Sequence, residues 1–411
     1  MFELLGFAVL GTGMGVFTGL IPGVHVNNIA PMLVSLAASS VLAPMQAIAL
    51  IVAMMLTHTF IDYIPSTFLG VPDEGTALSV LPAHRLVHEG KGYEVIRLTA
   101  LGSLGALMLS AALVGPMLSV IGPVYESLNP HMHWLLLMII VIMFALERGW
   151  KSIGWAIMIF LLSGLLGVLT LDTNLGAGDT MLMPLLGGLF GTSVLLVSMK
   201  GQGKLPKQHI TEEPISLRSN ARSIFAGTSA GALTGIIPGV GPAQGTVLTQ
   251  LVTRSGGTRD FLVGVSGVNT AKALFSFVAL YAIGRPRSGA AVAVSKIIDV
   301  GANELLLLTG IALFAGGLAT ILHLYIGKFA TKHIHRLPYR AMCITVMASV
   351  IGLSFYYAGA VGLLVLATAT AIGLLPATVR VKRTHCMGVI ILPCILYFAG
   401  LKSAVLSVIG L

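Results

Sequence analysis

Between Glu3 and Asp62 the chain carries no Asp, Glu, Lys or Arg, and the same holds from Ser223 to Thr253, from Leu305 to Gly327 and from Ala341 to Val379. About 20 apolar residues suffice to cross the hydrocarbon core of a bilayer. In lipid each backbone polar group has to be satisfied within the protein, which favours helices for runs of this length. Composition agrees: 56% of residues are hydrophobic and 9% charged, with a mean hydropathy of +0.94, too little charge to cover a soluble fold. The expected fold class is an all-α polytopic membrane protein of roughly ten to twelve transmembrane or re-entrant helices.

The net charge of +9 falls in the short connections between apolar runs rather than along one helix face, so it speaks for membrane topology and not for nucleic acid. The polar stretch Lys200 to Arg222 holds five basic residues with Pro206 and Pro214. It reads as a cytoplasmic linker between a first half, residues 1–199, and a second half, residues 223–411. The amino-terminal MFELLGFAVLG has no basic residue before its apolar run, which argues against a removed signal peptide. Cys343, Cys386 and Cys394 show no metal or redox spacing and read as small buried side chains.

One glycine-rich phrase is written twice, TGLIPGV at Thr18 to Val24 and TGIIPGV at Thr234 to Val240. Each copy puts a Pro-Gly break where a spanning helix would continue, a costly device in lipid unless protein or a polar cavity surrounds it. Small residues precede both breaks at three- to four-residue spacing, which lets helices approach closely. Polar residues follow: His25, Asn27 and Asn28 in the first copy, Gln244, Thr246 and Thr249 in the second. Simple helix packing accounts for one such copy. Duplication, with a polar aftermath each time, favours a pair of broken helices whose restarting N-termini face an anion, at Gly23 and at Gly239 and Gly241. If residues 4 to 42 and 223 to 253 are matched hairpins, an odd number of crossings between them places them on opposite faces, an inverted repeat.

A second region follows each break, THTFIDYIPSTFLGVPDEGTAL from Thr57 and GVSGVNTAKALFSFVALYAIGRPRSGAAVAV from Gly264. His58 and Asp62 are four apart and share a helix face, suiting a proton- or cation-coupling pair, or else Asp62 sits at a helix end in the headgroup layer. Asp73 and Glu74 lie in a turn that is either re-entrant or aqueous. Lys272 stands alone in a charge-free run with Asn269 and Thr270 within one turn, so it either snorkels or meets an anion. Arg285 and Arg287 are explained equally by a basic membrane boundary and by substrate capture. Asp299 and Glu304 either pair with these cations or mark a loop, Asp172 and Asp179 read as helix caps, and His333 to His335 reads as a solvated loop. No hydrolase, zincin or Walker motif is present, and the linker is too short for a catalytic domain, so the chain reads as a non-enzyme without cofactor or metal.

The phrases PSTFLGVPDEGTAL, LPAHRLVHEGKGYE and GVNTAKALFSFVALYAIGRPRSG, with the Pro-Gly helix, resemble the TctA-type large membrane subunit of tripartite tricarboxylate transporters. Pro65-Ser66, Gly70-Val71-Pro72, Thr76, Pro82 and Gly90-Lys91 stand where that family has its serine-proline, Pro-Gly and glycine-basic segments, and Asn269 matches an asparagine-containing one. The chain departs from the pattern at Asp73-Glu74, at the lone Asn269 beside Lys272, and at Arg285 and Arg287. The resemblance implies a prokaryotic multi-pass plasma-membrane permease, a divergent and archaeal-type member, with a small membrane subunit and a soluble binding protein as partners. The single phrase IIPGVGPAQGT is also similar to one in polyprenyl-phosphate translocases, which implies a lipid phosphate as an alternative substrate.

The resulting expectation is a secondary transporter that binds a di- or tricarboxylate-like anion by alternating access between two pseudo-symmetric halves. Its binding residues would be Gly23, Asn27, Asn28, Ser66, Gly239, Gly241, Gln244, Thr246, Asn269, Thr270, Lys272 and Arg287. Coupling to H+ or Na+ would run through His58, Asp62, Asp73 or Glu74. A lipid-phosphate translocase and a channel or structural membrane protein are the alternatives.

Overall fold

The computed structural model describes residues 2–21, 26–70, 75–76, 78–145, 147–171, 178–199, 206–211, 214–237, 241–242, 245–247, 249, 257–334 and 339–409. Among them there are helices and turns but no strands. In chain order the helices are α1 (Phe2–Leu20), α2 (Val26–Ala38), α3 (Pro44–Ile61), α4 (Tyr63–Leu69), α5 (Val80–His88), α6 (Gly92–Leu128), α7 (Met132–Ala145), α8 (Trp150–Leu171), α9 (Gly178–Leu186) and α10 (Ser193–Met199). After the linker come α11 (Leu217–Ile236), α12 (Gly257–Ile283), α13 (Gly289–Ser295), α14 (Ala302–His333), α15 (Tyr339–Val379), α16 (Gly388–Phe398) and α17 (Lys402–Ile409). Seven helical segments among the described residues are long and apolar enough to cross a membrane, and two shorter apolar ones accompany them. This is an all-α polytopic membrane protein.

Both copies of the duplicated phrase end a helix. α1 stops at Leu20 and helix resumes at Val26, while α11 stops at Ile236 and Ile237 turns to an extended conformation. Asn27 and Asn28 lie in the first turn of α2; their side chains, and Gly23, Gly239 and Gln244, fall outside the described residues. Beyond the second break, Thr246 and Thr249 donate to the carbonyls of Pro242 and Gly245, four residues back, as helical threonines do.

The small residues before each break set the packing of the helix that follows. A methyl group at Gly11 would stand 2.5 Å from the Leu50 carbonyl oxygen, at Gly15 2.6 Å from that of Met54 and at Gly19 2.7 Å from Ile61 Cβ, so α1 lies directly on α3. In the second half Gly227 meets the Gly264 carbonyl, a methyl at Gly231 would stand 2.6 Å from the Val268 carbonyl oxygen, and one at Gly235 2.8 Å from Phe275 Cβ. Gly11, Gly15 and Gly19 thus correspond to Gly227, Gly231 and Gly235, and Leu50, Met54 and Ile61 to Gly264, Val268 and Phe275. Side chains follow the same register. Thr12 and Thr18 donate to Ala8 and Gly15 as Thr228 and Thr234 donate to Ile224 and Gly231.

The packing units draw on both sides of the linker. One hydrophobic cluster joins α1–α3 and α6 to α11–α14. A second joins α7–α9 to α15, α16, the 3-10 turn Arg383–Met387, and Ile237 and Val247 beside the second break. Within the first cluster the halves interlock, since α6 packs on α12 and α14 packs on α3. The linker is part of the fold too. Buried Gln208 accepts from the Gly92 backbone N–H and donates to the Val87 carbonyl, strapping residues 206–211 over the α5–α6 corner.

Candidate functional site

The register carried over from the glycines runs on through α3–α4 and α12. α3 is interrupted at Asp62 because Pro65 has no N–H to offer the Ile61 carbonyl, yet Asp62 keeps helical angles and α4 continues to Leu69. Gly70 then turns left-handed at φ 69°, and Gly284, its counterpart after α12, does so at φ 63°. The matched stretches are GVPDEGTALSV and GRPRSGAAVAV, which share Gly, Pro, Gly, Ala and Val at the same places. They differ in charge: Val71, Asp73 and Glu74 stand against Arg285, Arg287 and Ser288. In the same register His58 is the counterpart of Lys272, and Asp62 of Ser276. Residue identity alone did not reveal this alignment, although the spaced Gly-x-Pro-x-x-Gly-x-Ala pattern is a signal for it.

α3 and α12 meet within the first cluster near the C-terminal end of α3, and the contact is polar. Asn269 Nδ2 donates to Asp62 Oδ2 at 3.1 Å, and the hydroxyls of Thr59 and Thr270 are 3.2 Å apart. Asp62 is 4% exposed and His58 5%, so both are buried within the protein. His58 Nδ1 lies 3.0 Å from Thr18 Oγ1, tying α3 to the last turn of α1. Ser66, one turn beyond Asp62, is fully buried, and its hydroxyl finds no partner among the described residues; the same is true of Thr57, Tyr63 and Thr67. Gly75 abuts the Asn269 amide so closely that a methyl group there would displace it. Asp73 and Glu74 lie outside the described residues.

At the other end of the crossing, Ser276 and Ser288 hydroxyls are 2.9 Å apart, and Ser288 reaches Met55 Sδ at 3.8 Å. In the register of the two glycine phrases, Ser276 stands where Asp62 does and Met55 where Asn269 does. Next to Ser288, Arg287 lays its guanidinium over the Tyr125 ring, 5.2 Å from the centroid. Its Nε and Nη2 are buried without a hydrogen-bond partner among the described residues. That pair of N–H groups forms the edge of arginine that grips a carboxylate or phosphate bidentately. Burial pulls the Arg287 guanidinium below its ordinary pKa, and Tyr125 partly offsets this. From Met55 to Asp62 is seven residues, about 10 Å along a helix, so Arg287 and the Asp62–Asn269 pair are separate ends of one seam.

Lys272 is half-buried one turn from Asn269, with its backbone held under Gly231 and Gly235 of α11. Gly241 and Thr246 are buried beside the second break. Thr59 and Tyr125 were not anticipated from sequence; Thr59 sits in an apolar helix with nothing local to mark it. Of the loop readings, Glu304 caps the start of α14 by accepting from the Gly301 N–H. His84, from the family-like LPAHRLVHEG segment, packs against Gly70, and burial next to His88 lowers its pKa to about 4.

An interlocked bundle of long apolar helices, with a polar contact buried where two of them meet, defines a polytopic membrane protein. Residues 5–388 match the tripartite tricarboxylate transporter TctA family, and the chain belongs to that family. Members are large membrane subunits of prokaryotic transporters that carry organic anions together with a small membrane subunit and a soluble binding protein. The chain is also 29% identical over 410 residues to "Uncharacterized protein MJ1079" of Methanocaldococcus jannaschii, covering 97% of this chain and 99% of the archaeal one. No solved structure matches it.

Proposed function

We propose that this chain is the permease of a secondary transporter that carries a di- or tricarboxylate by alternating access, its two halves related as inverted repeats. The observation that carries the proposal is the α3–α12 crossing, where Asn269 and Thr270 of one half meet Asp62 and Thr59 of the other in the buried interior. Antiparallel contact supports the inversion: going up α3 from Thr59 to Asp62, the partner steps back along α12 from Thr270 to Asn269. The cationic groups lie with the second half. Lys272 and the open edge of Arg287 would hold the carboxylates, Asn269 and Thr270 the polar remainder, and the chain after each Pro-Gly break, at Gly23, Asn27 and Asn28 and at Gly239, Gly241, Gln244 and Thr246, would line the path. Ser66 extends the same seam. Two separate cationic groups suit an anion with more than one carboxylate better than one with a single carboxylate.

The test is uptake of labelled citrate, succinate and polyprenyl phosphate into proteoliposomes, with the small membrane subunit and binding protein supplied, for wild type and Lys272→Ala. Saturable carboxylate uptake that falls at least about tenfold in the variant supports the site, since an ion pair in a dry cavity is worth more than about 1.4 kcal/mol. Uptake of the lipid phosphate alone, or carboxylate uptake indifferent to Lys272, sinks it.

A further inference from the structure

The two halves keep their packing residues and diverge in their charges. Gly11, Gly15, Gly19, Thr12, Thr18 and Gly70 recur as Gly227, Gly231, Gly235, Thr228, Thr234 and Gly284. In contrast, Asp62, Thr59, Asn269 and Thr270 map onto Ser276, Ala273, Met55 and Leu56. The oxygen-rich end of the seam therefore exists on one side of the pseudo-symmetry only. Packing does not require it, because the opposite end packs with a methionine, a leucine and an alanine in those places.

We propose that this end is a sodium-ion site, with Asp62, Thr59, Thr270 and Ser66 as oxygen donors and Asn269 orienting the carboxylate. Carboxylate and hydroxyl oxygens are the donors that hard cations take. A single carboxylate balances one positive charge, which fits a monovalent ion and leaves a divalent one under-neutralised. The hydroxyls of Thr59 and Thr270 are 3.2 Å apart; oxygens around a cation bound at about 2.4 Å lie about 3.4 Å from one another in an octahedron. Ser66 follows Asp62 by one helical turn, with the Ser66 N–H donating to the Asp62 carbonyl at 3.2 Å, so its buried hydroxyl shares the Asp62 face. Asn269 donates to Asp62 Oδ2 and fixes it as outer-shell donors fix metal-binding carboxylates.

Only the use made of the ion, to drive an anion held by Lys272 and Arg287, rests on the transporter reading. The experiment separates the two. Binding of radioactive sodium to the purified full chain in nanodiscs is measured with choline chloride holding ionic strength, for wild type, Asp62→Asn, Thr270→Val and Lys272→Ala. Citrate binding is followed in parallel by thermal shift. The expected result is saturable sodium binding that is weakened at least about tenfold in Asp62→Asn, several-fold in Thr270→Val, and retained in Lys272→Ala, which loses citrate instead. Should Asp62→Asn not fold, Thr270→Val gives the same reading, because valine keeps the shape of threonine and removes one oxygen. Absence of sodium binding in wild type, or binding unchanged in the folded Asp62 or Thr270 variants, overturns the site. Sodium binding without any carboxylate binding leaves the site standing and removes the transporter substrate.

Discussion

Gly231→Ala is the sharpest test of the paired-helix architecture. A methyl group there would stand 2.6 Å from the Val268 carbonyl oxygen, 2.6 Å from Ala271 Cβ and 3.0 Å from the Lys272 nitrogen. Two of the three are backbone atoms of a helix buried on several sides, so relief requires α11 to move off α12. Overpacking of this kind costs about 1–3 kcal/mol, while replacing a helical glycine by alanine returns about 1 kcal/mol; the net expectation is a loss of up to about 2 kcal/mol, against a gain at an unhindered glycine. Gly13 on α1 is the internal control, being exposed with nothing within 4 Å of where a methyl group would stand. Gly13→Ala should therefore be neutral or stabilising by up to about 1 kcal/mol. Gly15→Ala, hemmed in by Thr57 Cβ at 2.5 Å and the Met54 carbonyl oxygen at 2.6 Å, should behave like Gly231→Ala. The assay is thermal unfolding of the three purified variants in one detergent, followed by tryptophan fluorescence. Equal midpoints for Gly13→Ala, Gly15→Ala and Gly231→Ala would refute the close approach of α1 to α3 and of α11 to α12.

Other outcomes follow from named contacts. Arg287→Lys removes the planar edge and its stack on Tyr125, so the transport KM for citrate should rise about tenfold with little change in stability. Gln208→Ala leaves the Gly92 N–H and the Val87 carbonyl without their partner, and should cost about 1–3 kcal/mol and expose the linker to limited proteolysis. His84 has a folded pKa of about 4 against an ordinary 6.5, so the unfolded chain takes up the proton first as pH falls. Its burial therefore favours the folded state fully above about pH 6.5 and loses that advantage progressively down to about pH 4, on the order of 3 kcal/mol. Melting measured from pH 7 to pH 4 should be flatter in His84→Leu than in wild type.

What was legible in the sequence was whatever leaves a local trace. Long charge-free runs gave away the membrane class, and the twin Pro-Gly phrases marked where α1 and α11 end. Asn269, Thr270 and Lys272 stood out because polar residues are costly inside an apolar helix, and Asp62 for the same reason. What they meet was not legible. Asp62 and Asn269 are 207 residues apart, and nothing near either one names the other. Thr59 was invisible, since a threonine in a membrane helix ordinarily bonds its own backbone, as this one also does to the Leu56 carbonyl. The second repeated motif was hidden by reversal of charge: an acidic pair in one copy faces arginine and serine in the other, so similarity scoring discounts the very positions that distinguish the halves. The equivalence emerges from the glycines, whose contacts fix a register that residue identity alone does not.

That register also bears on how such a protein could move. In a rocking of half against half, α6 would have to leave α12 and α14 would have to leave α3. Those interfaces are among the closest in the molecule: Gly102 of α6 abuts the Val263 carbonyl and Ser266 of α12, and Ser103 donates to the Ser266 carbonyl at 3.3 Å. On the α14 side, His323 is buried against Thr99 and the Ile96 carbonyl of α6 at 3.1 Å each. Opening such contacts would bare backbone carbonyls and a histidine to lipid or water, a cost that accrues group by group. A displacement of the α1–α3, α6 and α11–α14 cluster as one unit against the α7–α9, α15 and α16 cluster leaves every one of these contacts in place. The seam at α3 and α12 would then travel intact, carrying Asp62, Asn269 and Lys272 together, so the ion and the anion would cross on the same body rather than being handed from one half to the other.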